Sequence, residues 1–138
     1  MHILKLKVIT PKKIAFEEEV LSITAPSETG EITILPKHMN LFTLLKEGVV
    51  KIKKQSGEDY LAIGGGYLQT NGEEVNVLVS RAYGQAEIDE QMTMKAIDEA
   101  KKIINQTKDI SQRTEANAVL RRSIINLKLL KKRHKRPL

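Results

Sequence analysis

The histidines and glycines of this sequence do not have the spacings that metal sites and nucleotide-binding motifs require. His2, His38 and His134 are far apart and lack the spacing of metal ligands. Gly64–Gly66 lacks the spacing of a dinucleotide-binding fingerprint and precedes a predicted strand, so this run predicts close backbone packing. No phosphate-binding loop and no nucleophile elbow occurs. The sequence therefore predicts that the isolated chain is not an enzyme and has no metal or cofactor.

The segment from Gly30 to His38 is the first candidate for a binding role. A predicted strand over 31–35 leads into Pro36-Lys37-His38 and leaves Glu31 and His38 near the two ends of one exposed strand and loop. A turn with polar surface residues is the simpler explanation of these residues alone. A partner contact is the alternative.

The C-terminal end of the chain is the second candidate. No acidic residue follows Glu115, and residues 116–138 carry eight Lys or Arg. Arg121, Lys128 and Lys132 fall on one face of a predicted helix. Such a face attracts nucleic acid, acidic protein or anionic lipid, although a solvated tail is an equally simple explanation. No aromatic residue follows Tyr83, so bases have nothing to stack on here and nucleic acid is the weaker alternative.

Composition limits the class of protein. The 138 residues include no cysteine, which excludes disulfides, thiolate metal sites and a cysteine nucleophile. No apolar run has the length of a membrane span, and Lys5 and Lys7 interrupt the N-terminal residues where a signal peptide would be apolar. We therefore expect an intracellular soluble protein that meets a membrane only through a partner.

Charge and composition divide the chain into two predicted domains, 1–84 and 85–138. The first holds ten basic and ten acidic residues, all eight glycines and all five aromatic residues. The second holds thirteen basic and seven acidic residues, which accounts for the net charge of +6. Because glycine and proline punctuate turns, the first domain favours short strands and the second favours long helices.

Hydrophobic periodicity indicates the same division. Alternation in segments such as Leu4–Val8 predicts an antiparallel β-sandwich, with a type I′ turn at Asn71-Gly72. Helical spacing after residue 86 predicts an antiparallel two-helix hairpin, with Asp89 capping the first helix and Ser111 the second. Such a hairpin is too thin to bury all its apolar surface alone, so it should pack on the sandwich or bind a partner.

Residues spread over the whole chain match one family pattern: Val8-Ile9-Thr10-Pro11, Phe16, Val20, Gly30-Glu31, Ile34, Pro36, His38, Leu41, Leu44, Gly65-Gly66, Leu68, Val75, Val77 and Leu78. On these residues the chain resembles the epsilon subunit of the F-type ATP synthase. The resemblance implies a central-stalk subunit that couples rotation of the c-ring and the gamma subunit to ATP synthesis. It implies a peripheral location at the cytoplasmic face of the energy-transducing membrane, without insertion into the bilayer.

The resemblance also implies roles for particular residues. Glu31 and His38 would contact gamma and the c-ring, with Gly30 and Pro36 shaping their loop. The hairpin would be compact or extended, and when extended it would reach the alpha and beta subunits and inhibit ATP hydrolysis. The regulatory basic residues would lie on the last helix of the hairpin and would be Arg121, Arg122, Lys128 and Lys132.

The sequence departs from the family at two places. Lys37 stands where the family has glycine between Pro36 and His38. Family members that bind ATP carry an Asp-x-x-Arg-Ala motif; here Asp89 is present, but Met92 and Thr93 replace the Arg and the Ala. Without that cation we expect weak or absent ATP binding. The functional alternative is a nucleic-acid or ribosome-associated module that binds through the basic helix.

Overall fold

The computed structural model describes residues 2–37 and 40–132. His38 and the basic residues beyond Lys132 were part of the predicted sites, and they lie outside the described residues. The chain divides into two compact units, with the division between Gly84 and Gln85. Each unit is described below by itself.

The first unit is a β-sandwich. Among the described residues it contains ten strands: β1 Leu4–Ile9, β2 Ile14–Val20, β3 Ser22–Ser27, β4 Gly30–Ile34, β5 Leu41–Leu45, β6 Gly48–Lys54, β7 Gly57–Ile63, β8 Gly66–Thr70, β9 Glu74–Val79 and β10 Ala82–Tyr83. Their hydrogen-bonded order is β10-β7-β6-β3-β5-β8-β9-β1-β2, and β4 pairs with β3. The predicted sandwich followed by two helices is confirmed.

The core of the sandwich is made by alternate residues of its strands. In β1, Leu4, Leu6 and Val8 are buried, whereas the side chains of Lys5 and Lys7 between them point outward. The same alternation recurs in the other long strands, because successive side chains of a strand point to opposite faces. The fully buried core includes Val20, Ile23, Ala25, Ile34, Val50, Ile52, Ile63, Leu68, Val75 and Val77.

One strand pair departs from the antiparallel pattern. β1 runs parallel to β9, with Lys5 opposite Glu74 and Val8 opposite Val77, while the other pairs are antiparallel. A parallel pair cannot be joined by a tight turn, and here the whole of β2–β8 lies between the two strands. Local turn signals therefore gave no indication of it.

The turn between β8 and β9 corrects one prediction. Gly72 has a φ of +92°, but Asn71 is not among the described residues with positive φ, so the type I′ turn was wrong. Instead, the Asn71 side-chain oxygen accepts hydrogen bonds from the amides of Glu73 at 2.9 Å and Glu74 at 2.8 Å. These bonds stabilise a longer loop in which Asn71 keeps an ordinary φ.

The glycine run between β7 and β8 has the packing role that the sequence predicted. A Cβ atom at Gly66 would collide with the backbone oxygen of Leu78 in the neighbouring strand β9. A Cβ atom at Gly64 would collide with the side chain of Ser80. Only glycine allows backbones to approach so closely.

The second unit is a helical hairpin. A single 3₁₀ turn, Gln85–Glu87, precedes α1, Glu90–Gln106, and α2, Ile110–Lys132. As predicted, Asp89 caps α1: its carboxylate accepts the amide of Met92 at 3.0 Å. The prediction that Ser111 caps α2 was wrong, because Asp109 accepts the amides of Ser111 at 2.8 Å and Gln112 at 3.3 Å.

Few of the described residues of the hairpin are buried. These are Thr93, Ile97 and Ala100 in α1 and Ala116, Ser123 and Leu129 in α2. The side-chain amide of Gln85 donates a 2.7 Å hydrogen bond to the Leu129 carbonyl and so ties the start of the unit to α2. Among the described helices, none combines the length and the apolar composition that crossing a membrane requires.

Candidate partner-binding surfaces

The hairpin that joins β3 to β4 holds Gly30 and Glu31. Gly30 has a φ of +127°, a conformation that favours glycine, and its carbonyl accepts a hydrogen bond from the Ser27 hydroxyl. Glu31 lies opposite Pro26 of β3, and its side chain is exposed. The local backbone therefore fixes Glu31 on the outer surface of the sandwich.

Pro36 and Lys37 follow the other end of β4. Lys37 has a φ of +64° and is the non-glycine residue with positive φ in the described chain. Its amide donates a 2.8 Å hydrogen bond to the Gly72 carbonyl, so this unfavourable conformation is held by the β8–β9 loop. The lysine that departs from the family pattern thus occupies a position suited to glycine.

The two predicted contact groups do not form one compact site. Gly30 begins β4, and Pro36 lies two residues beyond its last residue, Ile34. At about 3.3 Å per residue, Glu31 and Pro36 are separated by roughly 17 Å along the strand. A partner that touches both must cover the length of β4.

β5 carries two exposed apolar side chains. The exposed fractions of Phe42 and Leu44 are 60% and 54%. Leu45 pairs with Ser27, which places Leu44 toward the Gly30 end, while Leu41 pairs with Thr70 next to the loop that holds Lys37. We use the name β4–β5 surface for six residues of β4, of β5 and of the segment after β4: Gly30, Glu31, Pro36, Lys37, Phe42 and Leu44.

Phe42 is supported from the neighbouring strand. Its ring lies 5.1 Å, centroid to centroid, from the ring of Tyr67 in β8. Sequence analysis did not assign Phe42 or Leu44 to a site. The signal was present in Leu41–Leu45, where apolar residues fall on both faces of the strand instead of alternating with polar ones.

Polar pairs cover the adjacent outer face of β6 and β7. The Lys51 ammonium lies 3.1 Å from the Glu58 carboxylate. That hydrogen bond, followed by the charge of Glu58, raises the pKa of Lys51, and Glu31 makes the smallest contribution in the same direction. The Lys51 hydrogen bond in turn lowers the pKa of Glu58. This ion pair distinguishes the face from the apolar side chains on β5.

The basic residues of α2 form the second candidate surface. Arg121, Arg122 and Lys128 are exposed, and Lys132 is half-buried near the helix end. Seven residues separate Arg121 from Lys128, nearly two full turns, so the two share one face of α2. The structure describes this helix as continuous to Lys132, where the described part of the chain ends.

The comparisons with known proteins agree along most of the chain. A sequence model of the ATP synthase delta/epsilon chain β-sandwich domain matches residues 3–85. The ATP synthase epsilon chain of Dehalococcoides mccartyi strain CBDB1 is 36% identical over 140 aligned positions, covering 97% of this chain and 96% of that protein. This chain belongs to the ATP synthase epsilon chain family.

Other epsilon chains and two solved complexes are also similar. The epsilon chain of Sulfurovum sp. is 34% identical over 112 residues, covering 80% of this chain and 87% of that one. A chain of the Euglena gracilis mitochondrial ATP synthase shares the fold, with a TM-score of 0.71 and 24% identity. The match covers 95% of this chain and 79% of that one. A chain of the Tetrahymena thermophila central stalk and c-ring structure has a TM-score of 0.59, 19% identity and 94% coverage of both.

Membership in the epsilon chain family decides between the broad classes of function. An epsilon chain is a non-catalytic subunit of the ATP synthase, so the prediction that this chain is not an enzyme by itself is confirmed. Among the described residues, no cluster of three or more acidic or histidine side chains could hold a metal ion.

The segment that resembles the ATP motif of some epsilon chains has a structural role here. The Asp89 carboxylate is occupied by capping α1, and Met92 is exposed on the first turn of that helix. An exposed thioether offers no charge to a phosphate. Weak or absent ATP binding by this epsilon chain stays a prediction.

Proposed function

We propose that this epsilon chain is a rotating subunit of the ATP synthase central stalk. Its sandwich binds the gamma subunit and the c-ring through the β4–β5 surface and couples their rotation to ATP synthesis at the cytoplasmic face of the membrane. The observation that carries this proposal is the pair of exposed apolar side chains on β5, Phe42 and Leu44.

The energy of such a contact is substantial. Full burial of a large apolar side chain contributes about 1.5–3 kcal/mol relative to exposure. Phe42 and Leu44 are each more than half exposed, so a partner that covers them gains more than half of that burial energy from each side chain. Glu31 and Lys37 at the two ends of the surface supply charges of opposite sign, which fix the orientation of a partner more than its affinity.

We further propose that α1 and α2 regulate ATP hydrolysis. In the extended state of the hairpin, the basic face with Arg121, Arg122 and Lys128 approaches an acidic part of the catalytic head. The small number of buried residues in the hairpin supports this proposal, because a thinly packed helix pair can have two arrangements of similar energy.

A binding measurement tests the role of the sandwich. Phe42→Ser together with Leu44→Ser should weaken binding of this chain to the cognate gamma and c-ring complex by at least tenfold, because it removes the apolar contact. Ile14→Ser is the matched control: Ile14 is 52% exposed but lies on β2, outside the β4–β5 surface. Equal effects of the two changes would contradict the proposed surface.

A truncation tests the role of the hairpin. Deleting residues 86–138 should leave gamma binding intact and raise the ATPase activity of the assembled head. Unchanged ATPase activity would argue against inhibition by this hairpin. Loss of gamma binding would argue that the sandwich does not act as a separate binding module.

A further inference from the structure

Three strands of the sandwich lie at edges of the sheet. Within the described residues, β2 pairs with β1 alone, β10 pairs with β7 alone, and β4 pairs with β3 alone. An edge strand carries a row of backbone N–H and C=O groups that can pair with another chain. The three edges differ in how far they are protected from such pairing.

The register identifies which groups of β4 point outward. The carbonyl of Pro26 in β3 accepts a 3.0 Å hydrogen bond from the amide of Lys46, so this carbonyl points away from β4. Because backbone groups alternate in direction along a strand, the N–H and C=O groups of Ala25 and Ser27 point toward β4, opposite Ile32 and Gly30. It follows that the N–H and C=O groups of Glu31 and Thr33 face the open side of the strand.

The other two edges carry features that discourage pairing. β2 contains three consecutive carboxylates, Glu17–Glu19, and β10 is only two residues long. Natural sheets use charged residues and short strands in this way to prevent association. β4 has five residues, no proline or lysine, and a β-branched run, Ile32–Ile34, that favours extended pairing.

We propose that β4 is a site of strand addition, in which an extended segment of a neighbouring ATP synthase subunit pairs with the backbone of Glu31 and Thr33. This proposal rests on the proposed function and gives the chemistry of the contact. Both residues are exposed, and among the described strands only β3 pairs with β4. Backbone pairing provides affinity, and alternate side chains provide specificity.

Charge defines the partner segment. Glu31 is the charged residue of β4, and it belongs to none of the ion pairs found among the described residues. A basic side chain beside it in the added strand forms a favourable cross-strand pair. A second copy of this chain would instead bring two Glu31 carboxylates to the same face, which is unfavourable.

Amide hydrogen exchange with residue resolution tests the proposal directly. In the free full-length chain, the amides of Ile32 and Ile34 should be protected and those of Glu31 and Thr33 should exchange readily. Adding ATP synthase prepared without this chain should slow exchange at Glu31 and Thr33 by at least a hundredfold. Unchanged exchange at these two amides in a complex that does form would overturn strand addition and leave the proposed function intact.

Two further outcomes are also decisive. If no complex forms, the proposed function fails and strand addition fails with it. If the two amides become protected in the free chain as its concentration rises, together with dimer formation in analytical ultracentrifugation, then a second copy is the occupant and the heterologous partner is wrong.

A pair of variants provides an independent measurement. Thr33→Pro replaces the outward N–H with a ring and should weaken assembly with the depleted ATP synthase by at least tenfold. Thr33→Val is the matched control, because it also loses the 2.9 Å hydroxyl contact with Thr24 but retains the amide, so it should weaken assembly much less than Thr33→Pro does. Equal affinities of the two folded variants would overturn the proposal. If Thr33→Pro does not fold, the exchange measurement on the unmodified chain decides.

Discussion

The sandwich and the hairpin differ in how their apolar residues are used. In the sandwich, strand after strand buries every second residue, and the core side chains are mostly Leu, Ile and Val. Each helix of the hairpin buries three residues, and of these six Thr93 and Ser123 are polar and Ala100 and Ala116 are small. Hydrophobic burial, the main stabilising contribution to folding, is therefore concentrated in the sandwich.

This difference separates a rigid scaffold from an adaptable one. A well-packed core resists changes in shape, because the loss of even one methylene group disturbs its packing. A hairpin with little buried apolar area is held largely by its caps and by the contact between its helices. We expect the first unit to transmit force and the second to change its arrangement.

The largest expected effect comes from truncating matched isoleucines in the two units. Ile52 is 0% exposed and Ile103 is 44% exposed. Ile52→Ala should lower the free energy of unfolding of the sandwich by about 2–5 kcal/mol, and Ile103→Ala should change that of the hairpin by about 0.5 kcal/mol. Urea denaturation separates the two, since tyrosine fluorescence reports the sandwich and far-UV circular dichroism reports the helices. Comparable losses would remove the distinction between the units.

The helix caps come next in magnitude. Asp109→Ala should destabilise the hairpin by about 1 kcal/mol, because it leaves two amides of the first turn of α2 without their acceptor. Ser111→Ala is the control and should have less than about half that effect, since Ser111 receives the capping bond rather than providing it. Thermal unfolding followed by circular dichroism measures both. A larger loss for Ser111→Ala would reinstate the cap expected from the sequence.

A stabilising change is expected in the sandwich at Lys37. Its φ of +64° is unfavourable for any residue with a Cβ atom. Lys37→Gly should therefore raise the free energy of unfolding by up to about 1 kcal/mol, reduced by the greater freedom of glycine in the unfolded chain. Lys37→Ala serves as the control and should give no such gain. If Lys37→Gly also weakens gamma binding, the lysine is retained for contact at the expense of stability.

The smallest effect concerns the ion pair on β6 and β7. Since Lys51 lowers the pKa of Glu58, this carboxylate stabilises the fold above its ordinary pKa, and the contribution is lost as pH falls through the lowered value. The stability contributed by Lys51 has the opposite pH dependence, because its pKa is raised: this contribution is lost as pH rises through the raised value. Both groups are exposed to water, so Glu58→Gln should cost at most about 0.5 kcal/mol at neutral pH.

A pH series of urea titrations checks the sign. The difference between the unmodified chain and Glu58→Gln should shrink as the solution is acidified. Glu19→Gln on β2 controls for the loss of one negative charge. A difference that grows in acid would contradict the assigned cause.

Much of the fold was predictable because its signals are local. Alternation in β1 and the cap at Asp89 depend on residues only a few positions apart. The parallel pairing of β1 with β9 was not predictable, because it joins segments that no turn connects. Likewise, Asp109 and Ser111 are both good capping residues, and only the backbone geometry decides between them.

The candidate surfaces were predictable only in part. Family resemblance pointed to Glu31 and Pro36, but it did not show that a whole strand separates them. The exposure of Phe42 and Leu44 depends on which face of β5 meets the core, and apolar residues on both faces of the strand leave that undecided. Nor can periodicity reveal that, among the described strands, β4 pairs with β3 alone.

The pairing of the first strand with the ninth also bears on how the protein is made. About 70 residues separate Lys5 from its partner Glu74, a long loop to close for one of the central contacts of the core. The ribosome releases β1 first, when only its hairpin partner β2 can follow at once. Completion of the sandwich must therefore wait for nearly its whole length to emerge. The helices, whose contacts are local, are synthesised only after the sandwich is able to close.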